Sequence, residues 1–252
     1  MTIEHRDSVP RWRSALDVVC TLTLIATCGA VMWAIFSAPQ RRAVGPAPRA
    51  AVAGAAQGGA SLPPEPVALG ATGTRGSRAA RVAMIVYSDF QCPFCGKFER
   101  DTLPLLAKRY IDSGKVILDF RQFPLGIHPF AQKAAEAVEC AGREGKFWPM
   151  HDLLFQHQTE LSEPSLNGFA AHVGLKPDGF RTCLAGQMSS KVNADADSGR
   201  ALAVTGTPTF FIGRVQGDGR VKLVQRLTGA QPVTEFEAAL DRTLNETTVA
   251  AR

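Results

Sequence analysis

The hydrophobic pattern of the chain begins with an uncharged run of nineteen residues, 18–36, which reads VVCTLTLIATCGAVMWAIF. At about 1.5 Å per residue, a helix of this length spans about 28 Å, close to the hydrocarbon thickness of a bilayer. The pattern therefore predicts a single transmembrane anchor at 18–36. Three arginines on each side of it nearly cancel in the positive-inside rule, so charge alone does not decide the orientation, and we expect residues 1–17 to form a cytoplasmic segment. The alternative is a cleaved signal peptide, although the run is long for one and IFSAPQ offers no good cleavage site.

Residues 37–80 have a different composition, dominated by Ala, Gly and Pro. Such a stretch has too few large apolar side chains to offset the entropy lost on ordering, which predicts a disordered, flexible linker. As a random coil it would have an end-to-end distance of about 35 Å, so the domain that follows could sample a broad zone beside the membrane.

Beyond the linker, the apolar pattern changes to that of a folded domain. Residues 82–87 are all apolar and rich in β-formers, which is typical of a strand buried on both faces. A helical stripe follows, and Pro104 within it is expected to kink or break the helix. Residues 115–123 predict a second strand, in which Asp119 and Arg121 take the polar positions between apolar ones.

Helical spacing dominates from about 129 to 204, and the segments TPTFFIG and RVKLVQRL then predict two strands before a helix at 233–244. The order is strand, helix, strand, helical block, strand, strand, helix. Without the block this is a small α/β sheet that ends in a hairpin, close to a thioredoxin core. The predicted fold class is α/β, a thioredoxin-like fold over residues 81–252 with a helical domain inserted at about 129–204.

The net charge of +5 does not indicate a nucleic-acid partner, because most of it lies outside the predicted domain. Residues 37–80 carry five Arg against one acid, whereas residues 81–252 carry twenty basic against nineteen acidic side chains. A nearly neutral domain has no basic surface of the kind that binds phosphate backbones.

Candidate chemistry appears in SDFQCPFC, where Cys92 and Cys95 follow the first predicted strand directly. The start of a helix favours a thiolate at Cys92, through free backbone N–H groups and the helix dipole, and Cys95 lies one turn further in. A zinc site would need two more ligands, and His151 and His157 lie far along the chain and point apart on a regular helix, so no metal site is predicted. A purely structural disulfide is disfavoured because a four-residue loop restrains little. The motif therefore favours a redox couple.

A second motif, GTPTFFIG, puts Pro208 at the entrance to a strand. Together with SDFQCPFC, HPFAQKAAEAVECA and GKFWPMHDLLF, in this order, it resembles the DsbA-like thiol:disulfide oxidoreductases of bacterial envelopes over about residues 80–246. The resemblance implies a thioredoxin fold with an inserted helical domain, exchange of Cys92 with substrate thiols, and Cys95 as the resolving thiol. The residues that it implies for binding the substrate chain are Pro93, Phe94, Thr207 and a cis Pro208.

One position departs from the pattern of that family. Its members often carry a buried acid six residues before the first cysteine, and here that residue is Val86. The usual proton acceptor for Cys95 is then missing, and Asp89 is the nearest candidate, unless it caps the helix or a turn. His128, at the mouth of the helical block, is expected to be a helix-entry residue rather than a catalytic base.

Cys140 and Cys183 lie in the helical block and could be two buried, reduced thiols. A domain outside the cytoplasm would instead favour a structural disulfide between them, which we expect. Closing the 43-residue separation would contribute about 4 kcal/mol of stability.

The predicted function is that of an inner-membrane, single-pass thiol:disulfide oxidoreductase whose periplasmic domain introduces disulfides into exported proteins. Its expected partners are cysteine-containing exported polypeptides and a membrane redox partner that regenerates the active-site disulfide, with no nucleic acid and no cofactor. The alternatives are a reductase or isomerase of envelope disulfides, a secreted rather than tethered protein, and a non-catalytic peptide-binding or chaperone module in which CPFC is a local clip.

Overall fold

A computed structural model describes residues 62–249. The predicted cytoplasmic segment at 1–17, the anchor at 18–36 and the linker as far as residue 61 lie outside the described residues. Within residues 62–249, none of the helices combines the length and the apolar character needed to cross a bilayer.

The described residues form a six-stranded sheet in the order β1-β6-β5-β3-β4-β2. Its strands are β1 (Val67–Ala68), β2 (Thr74–Arg75), β3 (Val82–Ser88), β4 (Val116–Gln122), β5 (Thr209–Val215) and β6 (Arg220–Thr228). The central strand β3 runs parallel to β4 and antiparallel to β5, and β5 forms the predicted hairpin with β6. All seven residues of β3 are buried, as its uninterrupted apolar run predicts. The thioredoxin-like α/β fold predicted from the sequence is confirmed.

Helices pack on the sheet and form the inserted block. The first helical run comprises α1 (Pro93–Lys97), a π-helical turn (Phe98–Thr102), α2 (Leu103–Leu106) and a second π-helical turn (Ala107–Ile111). The block contains α3 (Ala131–Gly142), α4 (Phe147–Gln156), α5 (Glu163–His172), α6 (Pro177–Leu184) and α7 (Ser189–Ala201), and α8 (Val233–Val249) follows β6. The helices of the block therefore fall within the predicted range of 129–204.

Pro104 does not end the first helical run, so of the kink or break that the sequence suggested, the break does not occur. It occupies the first turn of α2, directly after the π-helical turn 98–102. A proline lacks the N–H that an α-helix interior needs, and the wider π turn before it changes which backbone groups pair. The run therefore changes helix type around Pro104 and continues.

The predicted boundary at residue 80 between linker and domain needs a correction, because β1 and β2 lie before it. They pair with β6 and β4 at opposite edges of the sheet. The end of β1 and the segment after it are held by the Arg121 guanidinium, 2.6 Å from the carbonyl of Ala68, and by the N–H of Gly70, 3.0 Å from the Asp119 carboxylate. These contacts use the backbone of the segment, which is why a composition poor in large side chains concealed them.

The polar positions of β4 are buried rather than exposed to water. Asp119 is fully buried and Arg121 is only 9% exposed, because α7 and the segment before β2 cover this face. Arg121 pairs with Asp119 at 2.8 Å and with Asp195 of α7 at 3.6 Å. Burial raises the pKa of Asp119 even though Arg121 opposes the shift. The pattern of β4 thus alternates because one face of the strand packs in the apolar core and the other face contributes to a buried charge network.

Candidate functional site

The loop between β3 and α1 carries the two cysteines of the CPFC motif. Cys92 is the N-cap of α1 in an extended conformation, and Pro93 takes the first turn, where its missing N–H removes no helical hydrogen bond. Both cysteines are free thiols, and Cys92 is 3% exposed while Cys95 is fully buried. Pro93 and Phe94 project outwards, and Phe94 is 61% exposed. The motif thus presents an apolar surface over a buried pair of thiols.

The two thiols differ in acidity. A hydrogen bond from Cys95 lowers the pKa of Cys92 to about 5 against the effect of burial, with smaller help from Thr207 and from the backbone at Cys95 and Phe94. Burial, and then the neighbouring Cys92, raise the pKa of Cys95 well above its ordinary value. Cys92 is therefore a thiolate at neutral pH, whereas Cys95 keeps its proton. The helix start contributes less than the sequence suggested, because the neighbouring thiol is the largest favourable cause.

Thr207 and Pro208 reach Cys92 from the loop between α7 and β5. The Thr207–Pro208 peptide bond is cis, and the Cys92 thiol donates to the carbonyl oxygen of Thr207 over 3.3 Å. The hydroxyl of Thr207 is buried and has no hydrogen-bond partner within residues 62–249. It is free to donate to the thiolate, which explains why Thr207 lowers the pKa of Cys92.

Thr207→Val tests this contribution, because valine keeps the shape of the side chain and the backbone carbonyl but has no hydroxyl. We expect the thiolate midpoint of Cys92 to rise from about 5 by about one pH unit, the effect of losing one hydrogen bond to a charged group. Ultraviolet thiolate absorbance of the reduced protein against pH measures the midpoint. Thr207→Ser retains the hydroxyl and should titrate as the wild type does, and an equal rise in both variants would assign the effect to packing.

Asp89, the candidate proton acceptor, is occupied by other contacts. Its carboxylate accepts hydrogen bonds from the N–H groups of Gln91 at 2.7 Å and Leu125 at 2.8 Å, and lies 2.7 Å from Nδ1 of His128. Val86 is buried in the apolar core. Asp89 therefore anchors the CPFC loop to the entrance of the helical block, which is the turn-capping alternative considered for it. His128 belongs to the same anchor.

Two exposed apolar residues near the motif escaped the sequence analysis. Ile127 is 81% exposed and Phe130 is 43% exposed, and the N–H of Phe130 donates to the Gln91 side chain. With Phe94 they border the loop that carries Cys92. The signal was present in the stretch GIHPF, where bulky apolar residues stand on either side of the proline at which the helical spacing begins.

His151 and His157, weighed as zinc ligands, have separate environments. His151 is buried among aromatic rings, with Nδ1 2.9 Å from Asp152 and Nε2 3.7 Å from Glu99. Burial opposes charge on His151, but these two carboxylates outweigh it and raise the pKa. His157 lies 3.9 Å from Glu160. In the part of the chain that the structure describes, no group of three or more Cys, His, Asp or Glu residues could hold a metal ion.

Cys140 of α3 and Cys183 of α6 are joined by a disulfide. The S–S distance is 2.04 Å and the Cα atoms are 5.9 Å apart. The Arg143 guanidinium lies 3.8 Å from the Cys183 sulfur. The bond links two helices within the inserted block and contains neither cysteine of the CPFC motif.

Residues 69–242 match the model of a protein family described as Thioredoxin. Among solved structures, Pseudomonas aeruginosa DsbA2 is 28% identical, with a TM-score of 0.54 over 69% of this chain and 94% of its own. The alpha-DsbA1 protein of Wolbachia pipientis is 23% identical, with a TM-score of 0.64 over 74% of this chain and 97% of its own. At that identity, the likeness to the Wolbachia protein is evidence for the fold alone.

A curated relative from Salinispora tropica, named Na(+)/H(+) antiporter NhaA 3, is 40% identical over 203 residues. The match covers 79% of this chain and 30% of the relative. A relative with the same kind of name from Salinispora arenicola is 39% identical and is also covered over 30% of its length. The chain thus spans less than a third of the curated relatives that it matches.

Proposed function

This chain belongs to the thioredoxin family, and from this premise we propose that it is a DsbA-like thiol:disulfide oxidoreductase, which oxidises cysteine pairs of exported polypeptides through a Cys92–Cys95 disulfide. The observation that carries the proposal is the contrast between the thiols. A fold that holds Cys92 as a thiolate stabilises the reduced couple, which makes the disulfide a stronger oxidant. This stabilisation is full above the ordinary thiol pKa and is lost as the pH falls through about 5.

The exchange proceeds in two balanced steps. A substrate thiolate attacks the sulfur of Cys92 in the oxidised protein, a mixed disulfide forms, and Cys95 leaves and takes up a proton, as its raised pKa favours. The second substrate thiolate then attacks the substrate sulfur of that mixed disulfide and expels Cys92 as a thiolate. The substrate loses two electrons and gains a disulfide, and the protein gains the two electrons. In the reverse direction, Cys95 resolves the mixed disulfide by attacking Cys92.

The groups around Cys92 supply a surface for the substrate chain. We assign Pro93, Phe94, Thr207 and Pro208 to substrate binding, and add Ile127 and Phe130. Exposed apolar side chains beside a reactive sulfur favour an unfolded polypeptide, since such a chain exposes apolar residues that a folded protein buries. The contact between Thr207 and Cys92 supports this assignment, because it puts the loop next to the sulfur that the substrate joins.

We place the domain on the extracytoplasmic side of the inner membrane, tethered by residues 18–36. The disulfide between Cys140 and Cys183 supports this location, because structural disulfides persist in oxidising compartments. Each oxidised substrate leaves Cys92 and Cys95 reduced, so a membrane redox partner must remove two electrons before the next turnover. Antiport is not proposed, because the match spans only 30% of the antiporter relatives.

The proposal is tested on the purified, oxidised full chain. We expect it to convert a peptide with two cysteines to the disulfide form, with one peptide oxidised per protein. Equilibrium with glutathione should give a reduction potential closer to about −120 mV, the value of a strong oxidant, than to about −270 mV, the value of a thioredoxin reductant.

Each alternative gives a different result in the same experiment. A potential near that of a reductant would favour the reductase. Rearrangement of a mispaired disulfide peptide without net oxidation of the two-cysteine peptide would favour the isomerase. Binding of the peptide without any exchange, together with a Cys92 that titrates as an ordinary thiol, would favour the peptide-binding module.

A further inference from the structure

A glutamine of the helical block contacts the loop that carries Cys92. Gln158 lies two residues after the end of α4, and its Nε2 donates to the carbonyl oxygens of Phe90 at 2.7 Å and Cys92 at 3.0 Å. These carbonyls stand on either side of Gln91. One amide therefore bridges the turn from which Cys92 enters α1, and joins the inserted block to the thioredoxin core beside the reactive sulfur.

The orientation of this amide is set by its partners. Both groups that Nε2 faces are acceptors, and Oε1 faces a donor, Nη1 of Arg100 at 3.4 Å. With the amide turned over, its oxygen would face two carbonyl oxygens and its NH₂ would face a cation. The side chain of Gln158 is therefore held at both ends.

Gly96 allows the amide to lie this close to α1. A Cβ at Gly96 would stand 1.9 Å from Oε1 of Gln158 and 2.7 Å from its Cδ. Real Cβ atoms do not approach so closely, so any other residue at this position must displace the amide. The glycine of CPFCG thus makes room for Gln158, more than sixty positions away, and for Nη1 of Arg100, which a Cβ would approach to 2.8 Å.

We propose that Gln158 is a positioning residue for thiol–disulfide exchange at Cys92, an inference that rests on the proposed function. Its hydrogen bonds hold the backbone on both sides of Gln91, and so keep the sulfur of Cys92 against Thr207. Exchange requires the attacking sulfur to approach in line with the bond that breaks, and a misplacement of about 1 Å can slow a reaction by about a hundredfold. Gln158 acts through the backbone and not on the sulfur itself.

The amide also affects the charge on Cys92. Carbonyl oxygens carry partial negative charge, and two of them lie in the loop beside a sulfur that reacts as an anion. A donor shared by both oxygens draws that negative charge away from the thiolate. Loss of the amide should therefore change both the position of the sulfur and its readiness to ionise.

The test uses Gln158→Ala in the full chain, with Gln156→Ala as the matched control. Gln156 is an exposed glutamine at the end of α4. For Gln158→Ala we expect the thiolate midpoint of Cys92 to rise by about one pH unit, a tenfold change in acid dissociation. Exchange with a two-cysteine peptide should slow by about tenfold to a hundredfold. Gln156→Ala should change neither measurement.

Gly96→Ala tests the same contact from the other side. It should raise the midpoint and slow exchange as Gln158→Ala does, because its methyl group expels the amide. In the Gln158→Ala background it should have little further effect, since residues that act through one contact are not additive.

The inference is overturned if Gln158→Ala titrates and exchanges as the wild type does, or if Gly96→Ala has its full effect in the Gln158→Ala background. A loss of thermal stability without a change in the midpoint also counts against it, since a merely structural role predicts that result. Failure of the proposed function is a separate outcome, because the wild type itself would then not exchange with the peptide, whereas the titration needs no substrate.

Discussion

Serine in place of Cys92 is expected to abolish thiol–disulfide exchange. A serine hydroxyl does not ionise at neutral pH and forms no disulfide, so neither the attack by substrate nor the mixed disulfide can occur. Removal of a covalent nucleophile lowers turnover by several orders of magnitude, and we expect a loss of at least about a thousandfold. Mass spectrometry of a two-cysteine peptide, mixed with the full chain and quenched with acid over time, measures the rate.

Cys95→Ser should fail at a different step. Cys92 remains a nucleophile and attacks a disulfide-containing peptide, which releases one peptide thiol and leaves the other peptide bound through a mixed disulfide. Without Cys95 no internal thiol can resolve it. Non-reducing gels should therefore show a covalent adduct with Cys95→Ser that disappears with reductant and is absent with Cys92→Ser. An adduct with Cys92→Ser instead would show that Cys95 is the nucleophile and Cys92 the resolving thiol.

The raised pKa of Cys95 bears on the missing buried acid at Val86. A thiol that is buried and still protonated at neutral pH must lose its proton before it can attack, and Asp89 already accepts from two N–H groups. The resolving step should therefore be slower than the first attack by Cys92. In the proposed oxidative direction Cys95 leaves rather than attacks, so a valine at position 86 in place of the family's buried acid is compatible with an oxidase.

The sequence predicts the parts of the fold whose signals are local. The strand at 82–87 appears as an uninterrupted apolar run because both faces of β3 are buried, and the helical block appears through its spacing. The CPFC motif was recognisable because its position between a strand and a helix follows from neighbours in sequence. Thr207 and Pro208 were not assigned by such signals, and their role came from the resemblance to a family.

Features that depend on contacts distant in sequence could not be predicted. The edge strands β1 and β2 are two residues long and have no periodicity to detect. Asp119 and Arg121 look like the exposed side of a strand, and only the position of α7 shows that they are buried with Asp195. Gln158 likewise stands in a short turn with no motif, and only its distance to the Cys92 carbonyl distinguishes it.

Removal of the Cys140–Cys183 disulfide is expected to lower the stability of the domain strongly. The bond closes a separation of 43 residues, and the loss of chain entropy in the unfolded state then corresponds to about 4 kcal/mol. A domain of this kind has a free energy of unfolding of about 5–15 kcal/mol, so the loss is a large fraction of the total. The double variant Cys140→Ala, Cys183→Ala should show it as a lower denaturant midpoint with a steeper transition, because its unfolded chain is less compact and exposes more surface.

The same double variant separates stability from chemistry. Because neither residue belongs to the CPFC motif, the protein that remains folded should oxidise the two-cysteine peptide at the wild-type rate, and Cys92 should keep its thiolate midpoint near 5. The double variant Cys92→Ser, Cys95→Ser is the reciprocal control. It removes exchange, but the disulfide that it prevents closes a loop of only four residues, which restrains the unfolded chain far less.

An unchanged denaturant midpoint for the Cys140 and Cys183 variant would show that the bond does not constrain the unfolded chain. A loss of exchange in the folded variant would instead give this disulfide a part in the redox reaction.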